Sequence, residues 1–398
     1  MDSPQSSSAI SVAEVARVAE SPLIAAAQAA PTTPALVVDL DTLDRNIARM
    51  AEAARVGGFA LRPHAKTHKC TQIAERQLAA GAVGLTVATI GEAEAFAASG
   101  GADLFTDLFI AYPLWLDEGK QRRLAKLAAQ LHRVRVGVES VESARRIAGT
   151  GASVVVEIDS GHHRTGVRPA DAGALARAAS ELGLAVEGVF TFPGHGMAHV
   201  ANATAAEVRE LAARDQDAAL SEAAASLRMA GIEPQVVSGG STPTAALSRN
   251  GKGGHDGQID ELRPGVYVFN DAMQIALGSC GLEDVALSAA ATVVSVPAPD
   301  RFVLDAGSKV LGADPNAWSQ SYGLLPAYPG AKVIQLSEHH AVVRLPEVEG
   351  VTAPRHGDRV AIIPNHVCNA VNLAAELVIV QERMHVDSWA VAARGANS

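Results

Sequence analysis

From Pro34 to about Ser238 short apolar runs alternate with alanine-rich stretches of helical spacing, and after about Ala272 the long helices stop. That change of rhythm constrains the fold more than any other feature. The apolar runs are Pro34–Asp41, Ala60–Pro63, Gly84–Val87, Leu104–Ile110, Val134–Val138, Val154–Ile158, Val186–Phe190 and Pro234–Ser238. Helical patterns lie between them, for example Thr71–Ala80, Ile90–Ala98 and Ala205–Ala230. Asp41 is expected to cap a helix through about Val56, because Leu43, Ile47 and Met50 recur at helical spacing. Strands alternating with helices mean parallel βαβ units. Seven or eight units over about 220 residues fit a (β/α)8 barrel better than an open sheet. A doubly wound sheet would want a glycine-rich turn after its first strand, and none is present.

Beyond Ala272 the runs Val285–Val296, Phe302–Leu304, Ala331–Leu336, His340–Leu345, Arg359–Ile363, Ala374–Gln381 and Val386–Ala392 read as strands separated by turns. The expected fold class is therefore α/β: a (β/α)8 TIM-like barrel over residues 32–275, then a mostly β C-terminal domain over 276–398. Residues 1–31, rich in Ala and Ser, form a tail with at most a loose helix around Val12–Ala19. The net charge of −10 argues against nucleic acid as a partner. No apolar run reaches the roughly 18 residues of a membrane span. Three scattered cysteines cannot all pair, which suggests a reducing compartment. With Asp2 and no early Lys or Arg, the first residues lack the charged segment of a signal peptide, so a cytoplasmic location is expected.

In such a barrel the active site gathers at the C-terminal ends of the strands. Lys66 follows an early strand in Arg62-Pro63-His64-Ala65-Lys66-Thr67-His68-Lys69. A lysine amine becomes a nucleophile when burial or neighbouring cations lower its pKa. Arg62, His64, His68 and Lys69 are candidate neighbours; the plainer alternative is a basic surface loop. Ser238-Gly239-Gly240-Ser241-Thr242 follows a late strand. Two glycines let backbone N–H groups converge and the hydroxyls add donors, which suits a phosphate; a simple turn is the alternative. Glu157–Gly166 and Phe192–Gly196 are further strand-end clusters, whose His162, His163 and His195 can be ligands, bases or loop histidines. Arg263 and Tyr267 are expected on alternate positions of one face, and Ser337–His340 in the same cleft. In Pro364-Asn365-His366-Val367-Cys368 a strand would place His366 and Cys368 on one face. Imidazole plus thiolate suits Zn²⁺ better than Mg²⁺ or Ca²⁺. One lysine, one phosphate cradle and polar strand ends on a barrel suggest pyridoxal 5′-phosphate.

These segments resemble the D-serine dehydratase and D-threonine aldolase family, whose fold is like that of alanine racemase. The carriers are Arg62–Lys69, Glu157–Gly166, Ser238–Thr244, Glu261–Tyr267 and Pro364–Cys368. The resemblance runs from about Thr33 to Arg394. It implies a homodimer, pyridoxal phosphate on Lys66, and a divalent metal on His366 and Cys368, Zn²⁺ with Mn²⁺ as the alternative. The expected cofactor-binding set is Lys66, His64, Arg164, Ser238, Gly239, Gly240, Ser241, Thr242 and Tyr267. The substrate class implied is a small β-hydroxy D-amino acid. Lys66 would take the Cα proton, and loss of the β-hydroxyl would give a 2-oxo acid and ammonia. Dehydratase-type members tend to carry His-x-Cys and aldolase-type members His-x-Asp, so Cys368 leans toward the dehydratase. Aldolase-type cleavage to glycine and an aldehyde remains the alternative. An amino-acid racemase or a non-catalytic pyridoxal phosphate-binding protein is a further one.

Overall fold

The computed structural model describes residues 21–99, 104–248, 259–346 and 353–398. The helix expected around Val12–Ala19 lies outside them. Strand β1 (Ala35–Asp39) is followed by eight strands of the barrel: β2 (Ala60–Leu61), β3 (Leu85–Val87), β4 (Asp107–Pro113), β5 (Arg133–Val138), β6 (Ser153–Glu157), β7 (Val186–Phe190), β8 (Val236–Gly239) and β9 (Glu261–Leu262). They pair in parallel in the order β2-β9-β8-β7-β6-β5-β4-β3. The ring closes where His64 bridges Thr86, and Val83 N and Thr86 N donate to Leu61 O and Pro63 O at 2.9 and 2.8 Å. The expected barrel is present. Its eighth strand, β9, is only two residues long and lies in a segment that reads as a polar cluster.

Helices cover the outside. The helix Leu40–Gly57 starts at Asp39, whose side chain accepts from Thr42 N at 2.9 Å, and stops at Gly58 with φ 73°. Asp39, at the end of β1, is thus the cap where Asp41 was expected. Leu43, Ile47 and Ala54 supply its buried face. The long helix Ala205–Met229 begins with a reciprocal cap between Thr204 and Glu207. Between helices and strands Leu85, Ile110, Val136, Val154 and Leu220 are fully buried. Each such side chain contributes about 1.5–3 kcal/mol by leaving water.

Inside the barrel, alternate residues point at the axis and stack in layers. The lowest layer is charged. Arg62 pairs with Glu261 at 2.7 Å and Asp107 at 2.8 Å, and Arg135 reaches Asp107 at 3.3 Å. Two residues further along the same strands come Phe109, Phe190 and Arg263. The Arg263 guanidinium lies 5.5 Å from the Phe109 ring centre and 5.0 Å from that of Phe190. At the mouth come His64, two residues past Arg62, and Ala111, Glu157, Phe192, Gly240 and Gly265, which open into a cavity.

The second sheet adds β10 (Leu287–Ala298), β11 (Arg301–Leu304), β12 (Gly323–Leu324), β13 (Lys332–Leu336), β14 (Ala341–Arg344), β15 (Arg359–Pro364), β16 (Glu376–Gln381) and β17 (Met384–Ala390). Its main path is β13-β14-β11-β10-β1-β16-β17, with β15 beside β10 and β12 beside β15. Strand β1 therefore belongs to this sheet and not to the barrel segment where it was expected. It pairs antiparallel with β10 and parallel with β16, while β2 already has neighbours on both sides within the barrel. The helix Pro22–Ala29 packs Ala26 and Ala27 on Val37, Ala290, Ala361 and Val378. No helix among the described residues is long and apolar enough to cross a membrane.

Candidate active site

The cavity at the C-terminal mouth of the barrel measures about 270 Å³. Lys66, His64, Arg164, Gly240, Ser241, Thr242, His366 and Cys368 all line it. Residues far apart in sequence thus converge as the motifs led one to expect.

Lys66 sits in a short helical turn, Ala65–Thr67, directly after β2. Its Nζ lies 5.8 Å from the centre of the Phe192 ring. Among the described residues no carboxylate stands at ion-pair distance from it. Burial lowers its pKa below the ordinary lysine range; Cys368 and Glu92 oppose that, and Arg164 and Arg263 reinforce it. Of the expected cationic neighbours, Arg62 is committed to the ion pairs below. Lys69 is buried against Glu92 at 3.1 Å. His68 is held by Cys70 and Gln77, with its pKa lowered to about 4 by burial. His64 remains beside Lys66. Its Nδ1 is buried without a partner, and burial, then Lys66, hold the ring neutral.

The Gly240–Thr242 turn forms another part of the wall. Gly240 has φ +81°, and a Cβ there would lie 2.9 Å from Leu262 Cδ2. Its N–H is tied to Gln216 Oε1 at 2.6 Å. Thr242 Oγ1 accepts from Tyr267 N at 3.1 Å, which joins this turn to Gly265 and Val266. A side chain at Gly265 would strike Thr67 Oγ1 at 2.6 Å. Three expected members of the set lie off the cavity. Ser238 is one layer down, where its hydroxyl donates to Glu261 at 2.8 Å. Gly239 faces Gln216. The Tyr267 ring turns away into the core, its phenol accepting from Gln77 Nε2 at 3.0 Å. It shares no face with Arg263, because the chain coils into a helical turn at Val266–Val268.

His366 and Cys368 do meet, though not on a strand. Strand β15 ends at Pro364; His366 is the cap of the helix Val367–Leu373 and Cys368 lies in its first turn. Cys368 raises the His366 pKa to about 11, despite burial, with help from Asp314. Burial acts to raise the thiol, but His366 and then Lys66 outweigh it and hold Cys368 below its usual range. Each group thus favours the charged form of the other. Cys368 Sγ also lies 3.3 Å from Thr67 Oγ1.

Glu157 and Arg263, which the sequence marks only as members of polar clusters and not of the cofactor-binding set, also line the cavity. Glu157 is buried, with Oε1 accepting from Thr165 at 2.8 Å and Oε2 without a partner. Burial raises its pKa. Arg263 donates to Thr191 O, keeps Nε unpartnered, and is pushed down to about 10 by burial. Their inward positions on β6 and just past β9 are the signal that reveals them. Of the histidines, His162 lines the cavity, His163 is exposed and holds Asp159 at 2.8 Å, and His195 pairs with Asp215 at 3.2 Å. Ser337–His340 is exposed and does not line the cavity; Glu338 pairs with Lys309 at 2.8 Å.

The arrangement fits a phosphorylated aldehyde cofactor. It offers one lysine of lowered pKa, a turn that only glycine fits, hydroxyl donors, and unpartnered atoms on His64, Arg263 and Glu157. It fits a soft divalent metal through an imidazole and a thiolate in contact. Among the described residues no cluster of three or more His, Cys, Asp or Glu forms a complete metal cage.

The model of the alanine racemase N-terminal domain matches residues 38–272, and that of the serine dehydratase domain matches 286–380. The chain is similar to D-threo-3-hydroxyaspartate dehydratase of Delftia sp. (strain HT23), 36% identical over 84% of this chain and 90% of that protein. It is similar to D-threonine aldolase of Arthrobacter sp, 34% identical over 91% of this chain and 93% of that one. A solved cysteine-to-alanine mutant of D-threo-3-hydroxyaspartate dehydratase, in the metal-free form, superposes with TM-score 0.80 and 31% identity, covering 93% and 98% of the two chains.

Proposed function

The chain belongs to the D-serine dehydratase and D-threonine aldolase family of pyridoxal phosphate lyases with the alanine racemase-like fold, and on that premise we propose that it is a metal-dependent dehydratase of small β-hydroxy D-amino acids. The observation that carries this is the convergence of Lys66, the Gly240–Thr242 turn and the His366–Cys368 pair on one cavity.

Pyridoxal phosphate, when bound, supplies an aldehyde that condenses with amines and a ring that takes up the electrons left at Cα. Lys66 Nζ is the amine that holds it. The Ser241 and Thr242 hydroxyls, with the Thr242 N–H, would hold its phosphate, and Gly240 would leave room for it. His366 and Cys368 would hold a divalent metal, which would supply a Lewis acid for loss of the β-hydroxyl. Lys66 Nζ, lining the cavity, would accept the Cα proton. Its lowered pKa leaves more of it neutral and ready to do so at a given pH. Phe192, Met197 and Met273 wall the cavity with apolar surface and limit water there. Arg164 lines the cavity over the face of Phe192 at 5.2 Å, where its charge would suit an anionic group of the cofactor or the substrate.

The thiolate of Cys368 favours Zn²⁺ over harder ions, and by the family resemblance its His-x-Cys pattern leans toward elimination over Cα–Cβ cleavage. Three free cysteines suit a reducing compartment, and a homodimer is what the family resemblance implies. Chelation should abolish release of 2-oxo acid while leaving the yellow colour, and Zn²⁺ should restore it. Full activity of metal-free protein would reject the metal's role.

A further inference from the structure

We infer that Asp314 is a positioning residue for the metal site: its carboxylate faces His366 Nδ1 and fixes the ring so that Nε2 is the nitrogen presented to the ion. This rests on the proposed metal role of His366 and Cys368. Asp314 Oδ1 stands 3.8 Å from His366 Nδ1. Its other oxygen accepts from Asn369 Nδ2 at 2.6 Å. Its backbone carbonyl accepts from Asn365 Nδ2 at 2.9 Å, and the same amide donates to Ser321 O at 2.6 Å. Three residues of the segment Asn365-His366-Val367-Cys368-Asn369 therefore converge on one aspartate. The two asparagines that flank the ligand pair acquire a purpose: they hold the loop carrying Asp314 against the imidazole.

Gly312 is part of the same device. It has φ +74°, and a Cβ there would lie 3.2 Å from Asn369 Cβ and 3.3 Å from Asp314 Oδ2. A side chain would push the loop off the helix turn. The other nearby carboxylate, Asp271, is spent on backbone: it accepts from Gln274 N at 2.9 Å and Val367 N at 3.1 Å. Asp314 does not line the cavity, so it stands behind the histidine and away from the substrate side. Histidine ligands commonly donate their second N–H to a carboxylate, which fixes the tautomer and strengthens the metal bond.

The test uses the full chain with its cofactor and measures the Zn²⁺ Kd by chelator competition. Cobalt spectra of the same proteins are recorded alongside. Asp314→Ala should weaken Zn²⁺ binding about 10–100-fold. Asp314→Asn, which keeps a carbonyl acceptor, should fall between it and the unmodified protein. The cobalt–thiolate charge-transfer band and the ligand-field bands should keep their positions in both variants, because no ligand is lost. The cofactor's absorbance controls for folding; should Asp314→Ala fail to fold, Asp314→Asn decides on the same criteria. An unchanged Kd overturns the inference. A cobalt spectrum that shifts as for a lost ligand also overturns it, by making Asp314 a ligand itself. Unmodified protein that takes up no Zn²⁺ rejects the metal role of His366 and Cys368, and the inference with it.

Discussion

Cys368 Sγ lies 3.3 Å from Thr67 Oγ1, although 301 positions separate the two residues in the chain. Thr67 is the neighbour of Lys66, so the contact joins the turn carrying the amine to the turn carrying the thiolate. The barrel supplies the first and the second sheet the second. A cofactor on Lys66 and a metal on Cys368 would then act on adjacent carbons of one small substrate.

Lys66→Ala should yield a colourless protein that borohydride does not label and that releases no 2-oxo acid. The amine is the group that bonds reversibly to an aldehyde. Absorbance and mass spectra of the borohydride-treated protein check this. Normal turnover by Lys66→Ala would remove the residue from its role.

The pH dependence of cofactor capture follows from the Lys66 environment. Burial lowers its pKa from the ordinary value of 10.5. A lowered pKa means that the proton leaves at lower pH, so the neutral amine accumulates earlier as pH rises. The rate at which cofactor-free protein takes up pyridoxal phosphate should climb with pH and reach its midpoint below that value. Stopped-flow absorbance across the alkaline range measures it. A midpoint at or above the free-lysine value contradicts the assigned environment.

Gly240→Val should weaken pyridoxal phosphate binding. At φ +81° a side chain strains the backbone by about 1–2 kcal/mol, and its Cβ meets Leu262. Gly239→Val acts one step removed, by displacing Gln216 from the Gly240 N–H. Fluorescence titration of cofactor into both variants checks the pair. Unchanged affinity in Gly240→Val would move the phosphate elsewhere.

Much of this was legible before any coordinates. Parallel barrel strands are buried on both faces, so they stand out as apolar runs, as at Val134–Val138 and Val154–Ile158. Strand β9 did not, because a two-residue strand carries no period. The partner of β1 did not either, since an apolar run says nothing about which sheet takes it up. His366 and Cys368 were recognisable by chemistry, although they meet across a helix cap and not along a strand. Charged residues in the barrel interior went unrecognised because burial of Arg62, Arg135 and Glu261 is stable only when all are paired, and pairing across strands leaves no local mark. Asp314 was invisible for the same reason: it reaches His366 from a distant loop.

Cys368→Asp should shift metal preference from Zn²⁺ toward harder ions such as Mn²⁺, since a carboxylate replaces a thiolate. Elimination should weaken in parallel. Competition between the two metals, followed by metal analysis of the desalted protein, checks this. An unchanged Zn²⁺ preference would argue that Cys368 is not a ligand.

The most direct measurement is a product balance on D-serine, D-threonine and D-threo-3-hydroxyaspartate with their L counterparts, assaying 2-oxo acid, ammonia and glycine together. With Lys66 as the base at Cα and a metal aiding loss of the β-hydroxyl, at least one D isomer should give 2-oxo acid and ammonia in equal amounts, and the L isomers neither. Glycine and an aldehyde as the main products, or equal turnover of both isomers, would contradict the account.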